Sequence, residues 1–201
     1  MSSVADICNL ALGRIGISRR IANIASTEQN EAIQCNRFYA HCRDEVLEAY
    51  PWPFANRYDE LTLLETADDQ QWAGDWLYRY NYPANCLRII ALVSEGRESK
   101  LPYELVSDDD DVLSILTNIP DAGIKFTAEF EDTEKFSAAF VSALAWKLGS
   151  EIAMPLSATD QKMLNAAAMY QRALSKASAN AGNEVVRSKG DGESSFTRAR
   201  G

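Results

Sequence analysis

Few residues in this chain of 201 residues have the types and spacing that catalysis requires. The only histidine is His41, and a serine-histidine-acid arrangement would have to use it, with Asp44 three residues later. His41 falls in the middle of a helical pattern, beside its apolar stripe. The sequence therefore favours a structural His41, on the surface or half-buried, over a catalytic one.

Carboxylates offer two other kinds of site. Glu129, Glu131 and Asp132 could supply an acid pair for glycoside hydrolysis, but a chain with 29 acidic residues offers many such pairs. The run 108–111 consists of four aspartates, yet it lacks the alternating ligand spacing and the turn glycine of an EF-hand loop. That run is therefore predicted to be a solvated loop, since adjacent carboxylates repel one another.

Phosphate and zinc chemistry are also disfavoured. The segment 13–16 (Gly-Arg-Ile-Gly) follows a helical pattern, whereas a phosphate-binding loop follows a strand and carries lysine next to serine or threonine. Within a helix, Cys35 and Cys42 would lie about 10 Å apart along the axis, too far for a disulfide. No C-x-x-C pair occurs among the four cysteines, Cys8, Cys35, Cys42 and Cys86. The sequence predicts buried free thiols, no metal and no cofactor.

Charge is distributed unevenly along the chain. Residues 57–132 contain 6 basic and 17 acidic side chains, a net charge of −11, against 14 basic and 12 acidic side chains elsewhere. An acidic surface repels phosphate, so this part is not expected to bind nucleic acid tightly.

Apolar runs fall far short of the roughly 20 residues of a membrane span, and no secretory signal is recognisable at the N-terminus. We expect no membrane span and a protein that stays where it is made.

Helical periodicity dominates the first part of the chain. A first helix of about three turns starts after Ser3 and weakens at Gly13. A second helix is predicted to start at a cap formed by Ser26 or Thr27 and to end at Pro51. The segment 50–54 (Tyr-Pro-Trp-Pro-Phe) then forms a rigid corner, which either plugs the junction of helix and sheet or docks onto a neighbour. The plug is the favoured interpretation, because aromatic side chains are usually buried.

In the middle of the chain, the spacing of the apolar residues changes from a helical to a strand-like period. Short breaks between apolar runs permit antiparallel pairing without crossover helices, which predicts one small antiparallel sheet. Five runs are rich in aromatic and β-branched residues and are strand candidates: 76–82, 86–93, 103–106, 112–117 and 123–131.

Helical periodicity returns at Thr133 and ends near Pro155, and a last helix begins near Thr159. After residue 181 the composition turns to glycine, serine and charged residues, which cannot by themselves bury enough apolar surface to order the chain. The predicted fold class is α+β. A predominantly helical body of about four helices (1–54 and 133–181) carries an acidic β-rich insertion (55–132) and an extended, flexible or partner-bound C-terminal tail (182–201).

Five segments in order along residues 3–180 carry a resemblance to a known family: ICNLALGRIG at 7–16; RDEVL at 43–47 leading into PWPFA at 51–55; YNYP at 80–83 with CLR at 86–88; TN at 117–118; and AFVSALAWKL at 139–148 before PL at 155–156. Together these segments resemble the tail tubular protein A family, the head-to-tail adaptors of short-tailed (podovirus-type) bacteriophages.

The resemblance implies a non-enzymatic structural protein of the virion. It would form a dodecameric ring that joins the portal protein to a tail nozzle of the tubular protein B type, with the helices in the ring wall and the strand-rich part facing the nozzle. Double-stranded DNA would pass through without sequence-specific binding. The expected location is the head-tail junction of the virion, and the host cytoplasm during assembly.

The C-terminal tail would extend onto the portal in this family. The candidate portal-binding residues are Arg187, Lys189, Phe196, Arg198 and Arg200. Some relatives are thought also to hydrolyse cell-surface polysaccharide, which leaves a tail protein with that activity as the alternative. A cytosolic interaction module unrelated to virions is a third interpretation.

Overall fold

The computed structural model describes residues 2–66, 75–99, 101–107 and 112–184. These residues form four α-helices and two small antiparallel sheets, so the predicted α+β class is confirmed. The strands are inserted between the second and third helices. The helices are α1 (Val4–Arg14), α2 (Asn30–Ala49), α3 (Ala138–Ala153) and α4 (Asp160–Glu184). Because α4 continues to Glu184, the first three residues of the predicted tail are helical.

The insertion contains two four-stranded sheets where the sequence predicted one. The first sheet has the strand order β1-β8-β4-β5 and the second β2-β3-β7-β6. The strands are β1 (Asn56–Glu60), β2 (Leu63–Thr66), β3 (Tyr78–Asn81), β4 (Cys86–Ser94), β5 (Arg97–Glu98), β6 (Tyr103–Ser107), β7 (Leu113–Thr117) and β8 (Gly123–Ala128). Each strand pair in both sheets is antiparallel.

Three strands were not predicted, namely β1, β2 and β5. Strand β1 has the sequence NRYDE and four of its five residues are exposed, so it lacks the alternation of apolar and polar residues that marks a half-buried strand. Strand β5 has only two residues, both of them charged. These strands form at sheet edges through pairing with apolar neighbours, and pairing of that kind leaves no local signature.

The helical body begins with a capped helix. The Ser3 side chain accepts a hydrogen bond from the Asp6 backbone N–H, and the Asp6 carboxylate accepts one from the Ser3 N–H, which forms a capping box at the predicted helix start. Helix α1 then packs closely on α3. A Cβ atom added at Gly149 would lie 3.4 Å from the Ala11 carbonyl oxygen, so the small residue permits this approach.

The predicted start of α2 is wrong. The helix begins at Asn30, three residues after Thr27, and Gln29 at the cap position makes no side-chain capping hydrogen bond. The upstream segment is a turn around Asn23, whose side chain accepts from the Ala25 N–H while its carbonyl accepts from the Ser26 N–H. Asparagine commonly competes with helix in this way, and here the turn displaces the helix start toward the C-terminus.

The segment 50–54 is a plug, as favoured from the sequence, but it joins two helices, whereas a junction of helix and sheet was predicted. Trp52 is 2% exposed, and its Nε1 donates a 2.7 Å hydrogen bond to the Val46 carbonyl of α2. Its ring lies edge-on to Phe140 of α3 at a centroid distance of 5.1 Å. Phe54 adds further aromatic contacts, to Phe136 and Phe140 at 5.5 Å and 5.1 Å. The corner therefore fastens the end of α2 to the start of α3.

The two sheets share a separate core. Its largest members are Tyr80 of the second sheet and Phe126 of the first, both fully buried. The Tyr80 hydroxyl donates to the Ile119 carbonyl at 2.9 Å and accepts from the Ala122 N–H at 3.3 Å. Its apolar ring therefore fills the core while its polar end has partners. The insertion is a small β-sandwich with its own interior.

Candidate functional site

His41 lies on the surface of α2, with three quarters of its side chain exposed. Its Nε2 is 3.7 Å from a carboxylate oxygen of Glu45, one turn further along the same helix. Asp44 instead accepts a 2.8 Å hydrogen bond from Arg43 Nε. Asp44, the acid that a triad with His41 would have used, is thus bound to Arg43 and forms no ion pair with His41 among the described contacts.

The candidate acid pair surrounds a buried arginine. Arg43 of α2 is only 5% exposed. Its Nη2 lies 2.6 Å from Glu129 Oε1, and its Nη1 lies 2.8 Å from Glu131 Oε1. Burial disfavours the charge of Arg43, but hydrogen bonds to Asp44 and Glu131 outweigh burial and raise its pKa. The guanidinium is a permanent cation held by three carboxylates.

This cluster joins the helical body to the sandwich. Glu129 and Glu131 follow β8, the last strand, whereas Arg43 lies in the middle of α2. Nearby backbone contacts add to the junction. The Arg88 guanidinium of β4 donates to the Glu48 carbonyl of α2 at 3.1 Å. Within the insertion, the Glu129 N–H donates to the Asn85 carbonyl at 2.9 Å. Both glutamates therefore have a structural partner that explains their positions without catalysis.

Asp132 also has a local structural role. Its carboxylate accepts a hydrogen bond from the Glu134 N–H at 3.1 Å and lies 3.1 Å from Lys135 Nζ. It thereby caps the short 3-10 turn Thr133–Lys135 that precedes α3. Glu129, Glu131 and Asp132 were the predicted candidates for an acid pair. The arginine that binds two of them, Arg43, was not predicted. The pairing spans more than 80 residues of sequence, so no local pattern could have revealed it.

A second charged cluster joins α2 to α3. Lys147 Nζ of α3 lies 2.8 Å from carboxylate oxygens of both Glu45 on α2 and Glu151 on α3. Burial disfavours the ammonium, but hydrogen bonds to these two glutamates outweigh burial and raise the pKa of Lys147. The depression next to it is lined also by residues of α4, including Leu164 and Tyr170. Lys147 is the charged partner of Glu45 and Glu151 within the helical body, and its position does not suit a nucleophile.

All four cysteines are buried free thiols, as predicted. Burial, followed by the nearby charge of Glu151, raises the pKa of Cys42 to about 12. The thiolate is the reactive form of cysteine, so both burial and this pKa protect the side chain.

We expect the native protein to resist alkylation and disulfide exchange near neutral pH. Titration with a chromogenic disulfide reagent should find no reactive thiol before unfolding and four per chain in denaturant. Rapid reaction of even one thiol in the native protein would contradict the burial of these residues.

The described residues contain no group of three or more histidine, cysteine, aspartate or glutamate side chains placed to hold a metal ion. The aspartate run 108–111 lies outside the described residues. The candidate portal-binding residues also lie outside them: Arg187, Lys189, Phe196, Arg198 and Arg200.

The second sheet exposes an apolar surface that sequence analysis did not identify. Leu105 on edge strand β6 pairs in register with Ile115, a buried core residue of β7, yet Leu105 is 44% exposed. Leu63 on edge strand β2 similarly pairs with buried Tyr80 and is half exposed. We call the large exposed apolar side chains on and beside this sheet the sheet-edge surface: Leu63, Leu64, Leu77, Leu101, Tyr103, Leu105, Val112 and Leu113. The core-facing side of this sheet extends beyond the area that the first sheet covers.

One end of the sandwich carries an open acidic depression. It has a volume of about 670 Å³ and lies where β1, β4 and β8 end. Its carboxylates belong to Asp59, Glu60, Glu95 and Asp121. The depression contributes to the negative charge of the insertion.

No protein-family model and no curated protein matches this chain. None of its described helices has both the length and the apolar character needed to cross a lipid bilayer.

Proposed function

We propose that this protein is a structural component of the virion of a short-tailed bacteriophage, the head-to-tail adaptor that forms a dodecameric ring between the portal protein and the tail nozzle. The resemblance of five ordered sequence segments to the tail tubular protein A family motivates the proposal. The helical body with an inserted β-rich module is the organisation that this resemblance implies. In the proposed assembly, the protein acts at the head-tail junction and reaches it from the host cytoplasm.

The proposal rests on the exposure of the sheet-edge surface. Eight large apolar side chains are exposed on or beside one small sheet. Monomeric proteins rarely expose a large apolar area unless it binds a partner, so a concentration of exposed apolar side chains at one sheet marks a candidate contact surface. The outer strands β2 and β6 each pair with only one neighbouring strand of the sheet. A scaffold protein needs such broad contact surfaces, and in the proposed ring this surface meets the nozzle of the tubular protein B type.

The acidic insertion is suited to a conduit for double-stranded DNA. A wall of like charge does not retain the passing phosphate backbone, so DNA moves without sequence-specific binding. In the same proposal, the C-terminal tail contacts the portal through the four basic residues and Phe196 named above.

Polysaccharide hydrolysis remains an alternative that no observation favours. Two of the candidate acids bind Arg43, and the third caps a turn. A sugar-release assay with purified protein separates the two functions, because the adaptor alone is expected to release no sugar.

A variant in the sheet-edge surface tests the proposed contact with the nozzle. Leu105→Glu combined with Leu101→Glu places two charges in the sheet-edge surface, at side chains that are 44% and 53% exposed. Rings on the portal should still form, but they should no longer recruit the nozzle protein in a native gel or by electron microscopy. The matched control is Leu164→Glu on α4, which is 58% exposed and lies in the helical body. Normal nozzle recruitment by the double variant would contradict the assigned contact.

A further inference from the structure

Arg14 at the end of α1 is a half-buried cation for which no described residue serves as a carboxylate partner. Its Nη1 donates to the Ser142 carbonyl at 2.6 Å, and its Nη2 donates to the Ser142 hydroxyl at 3.1 Å. Its guanidinium lies over the ring of Trp146, 4.3 Å from the ring centroid. Burial lowers the pKa of Arg14. All of its described contacts are neutral groups.

Other sheltered cations in the described part of the chain are neutralised. Among the described residues, the lysine and arginine side chains that are buried or half-buried are Arg14, Arg43, Arg79, Lys125 and Lys147. Each of the last four has at least one carboxylate within ion-pair distance. Since a sheltered charge is costly without a counter-ion, Arg14 is the exception that needs an explanation.

Arg14 lies in a groove that can admit a counter-ion. The groove has a volume of about 440 Å³ and runs between α1 and the start of α3. Its walls include the apolar residues Leu10, Phe136 and Val141, and Leu10 is 45% exposed. Glu134 is the carboxylate on its rim, but it forms no ion pair with Arg14. A mixed wall with one unpaired guanidinium suits an acidic side chain on a protein segment.

We propose that this groove binds a carboxylate from the acidic insertion of a second copy of the chain. This inference rests on the proposed ring and assigns one of its contacts. Residues 57–132 carry a net charge of −11, whereas residues 1–56 and 133–181 contain 10 basic and 9 acidic side chains. The insertion therefore carries a surplus of carboxylates, each of which has the charge that complements Arg14. Within one copy, no described residue of the insertion forms an ion pair with Arg14.

A contact between the body of one copy and the insertion of the next joins two different surfaces. Such a head-to-tail contact repeats around an axis and closes into a ring when the rotation fits. Arg14 can hold the incoming carboxylate with its remaining N–H donors while it keeps its contacts to Ser142 and Trp146. The apolar walls shield the pair from water, which strengthens it.

Charge variants of Arg14 test the proposal. Arg14→Glu should weaken ring formation at least about tenfold, since a like charge would then face the incoming carboxylate. Arg14→Met keeps an apolar stem over Trp146 but lacks the charge, and it should weaken assembly by a smaller factor. The matched control is Arg172→Glu, an exposed position on α4 with the same change of charge, and it should assemble normally. Sedimentation velocity across a concentration series, with and without the portal, gives the ring fraction.

Two further measurements keep the result interpretable. Thermal unfolding of each monomer shows whether a variant is folded, so that lost assembly cannot be mistaken for lost structure. A photo-reactive residue at position 10, in a mixture of isotope-labelled and unlabelled chains, should give cross-links to residues 57–132 of the other copy.

The outcomes separate this inference from the proposed function. Rings that form equally well with Arg14→Glu, or that cross-link position 10 only within one copy, would overturn the groove contact and leave the adaptor proposal intact. Cross-links from position 10 to the portal or to DNA would also overturn it. A chain that forms no ring at any concentration, even with the portal, would overturn both.

Discussion

Replacing Trp52 with alanine is expected to lower the free energy of unfolding by about 4 kcal/mol, the usual range for loss of a fully buried large aromatic side chain. Trp52 packs edge-on against Phe140 and donates its indole N–H to the Val46 carbonyl. Alanine removes the ring from between α2 and α3 and leaves that carbonyl without its donor. Denaturant unfolding followed by circular dichroism gives the change.

Trp52→Phe separates the two contributions. Phenylalanine retains most of the aromatic packing but lacks the N–H donor, so its cost should be about 1–2 kcal/mol. An exposed control, Leu164→Ala on α4, should change stability by less than about 0.5 kcal/mol. If Trp52→Ala cost no more than this control, segment 50–54 would not be the plug between helix and helix that the structure shows.

The double variant Glu129→Gln, Glu131→Gln is expected to lose about 2–3 kcal/mol of stability. It leaves the buried guanidinium of Arg43 with Asp44 as its remaining carboxylate, and an undercompensated buried charge costs several kcal/mol. We expect the loss to appear first at the junction, as faster amide hydrogen exchange around Asn85 and Glu129 than elsewhere in the sandwich.

Arg43→Met provides the complementary test. The freed Glu129 and Glu131 are 46% and 77% exposed, so water can solvate them, and the loss should be smaller than in the double glutamine variant. The matched control is Glu28→Gln, which removes an exposed charge elsewhere on the helical body. Equal stability losses in the control and in Glu129→Gln, Glu131→Gln would contradict a structural role for the arginine cluster.

The helices could be predicted from the sequence because their signals are local. The start of α1 is encoded by Ser3 and Asp6, and the end of α2 is set by Pro51. The start of α2 could not be placed, since Ser26 and Thr27 both suit a helix cap while the turn at Asn23 determines the outcome. Local propensities of this kind compete, and their relative strengths cannot be read from the sequence alone.

The sandwich could be predicted only in part. Strands with alternating apolar residues, such as β8, were recognised, whereas the short polar strand β5 depends on its neighbour β4. The functional features likewise divide into those that residue type predicts and those that depend on contacts between distant segments. The buried thiols follow from residue type, but the partners of Arg43 and the exposed face of β6 arise from contacts between distant segments. Among residues 2–66, 75–99, 101–107 and 112–184, no carboxylate forms an ion pair with Arg14, and the sequence has no signature that predicts this.

The most direct test of the adaptor proposal is the mass of the species that forms when this protein is mixed with the portal protein of the same phage. Native mass spectrometry or light scattering should find a complex with twelve copies of this chain on one portal ring, as the family resemblance implies. Truncation after Ala181 should reduce its yield, because the proposed portal contacts lie in the removed tail. A chain that remains monomeric beside an intact portal would contradict the proposal.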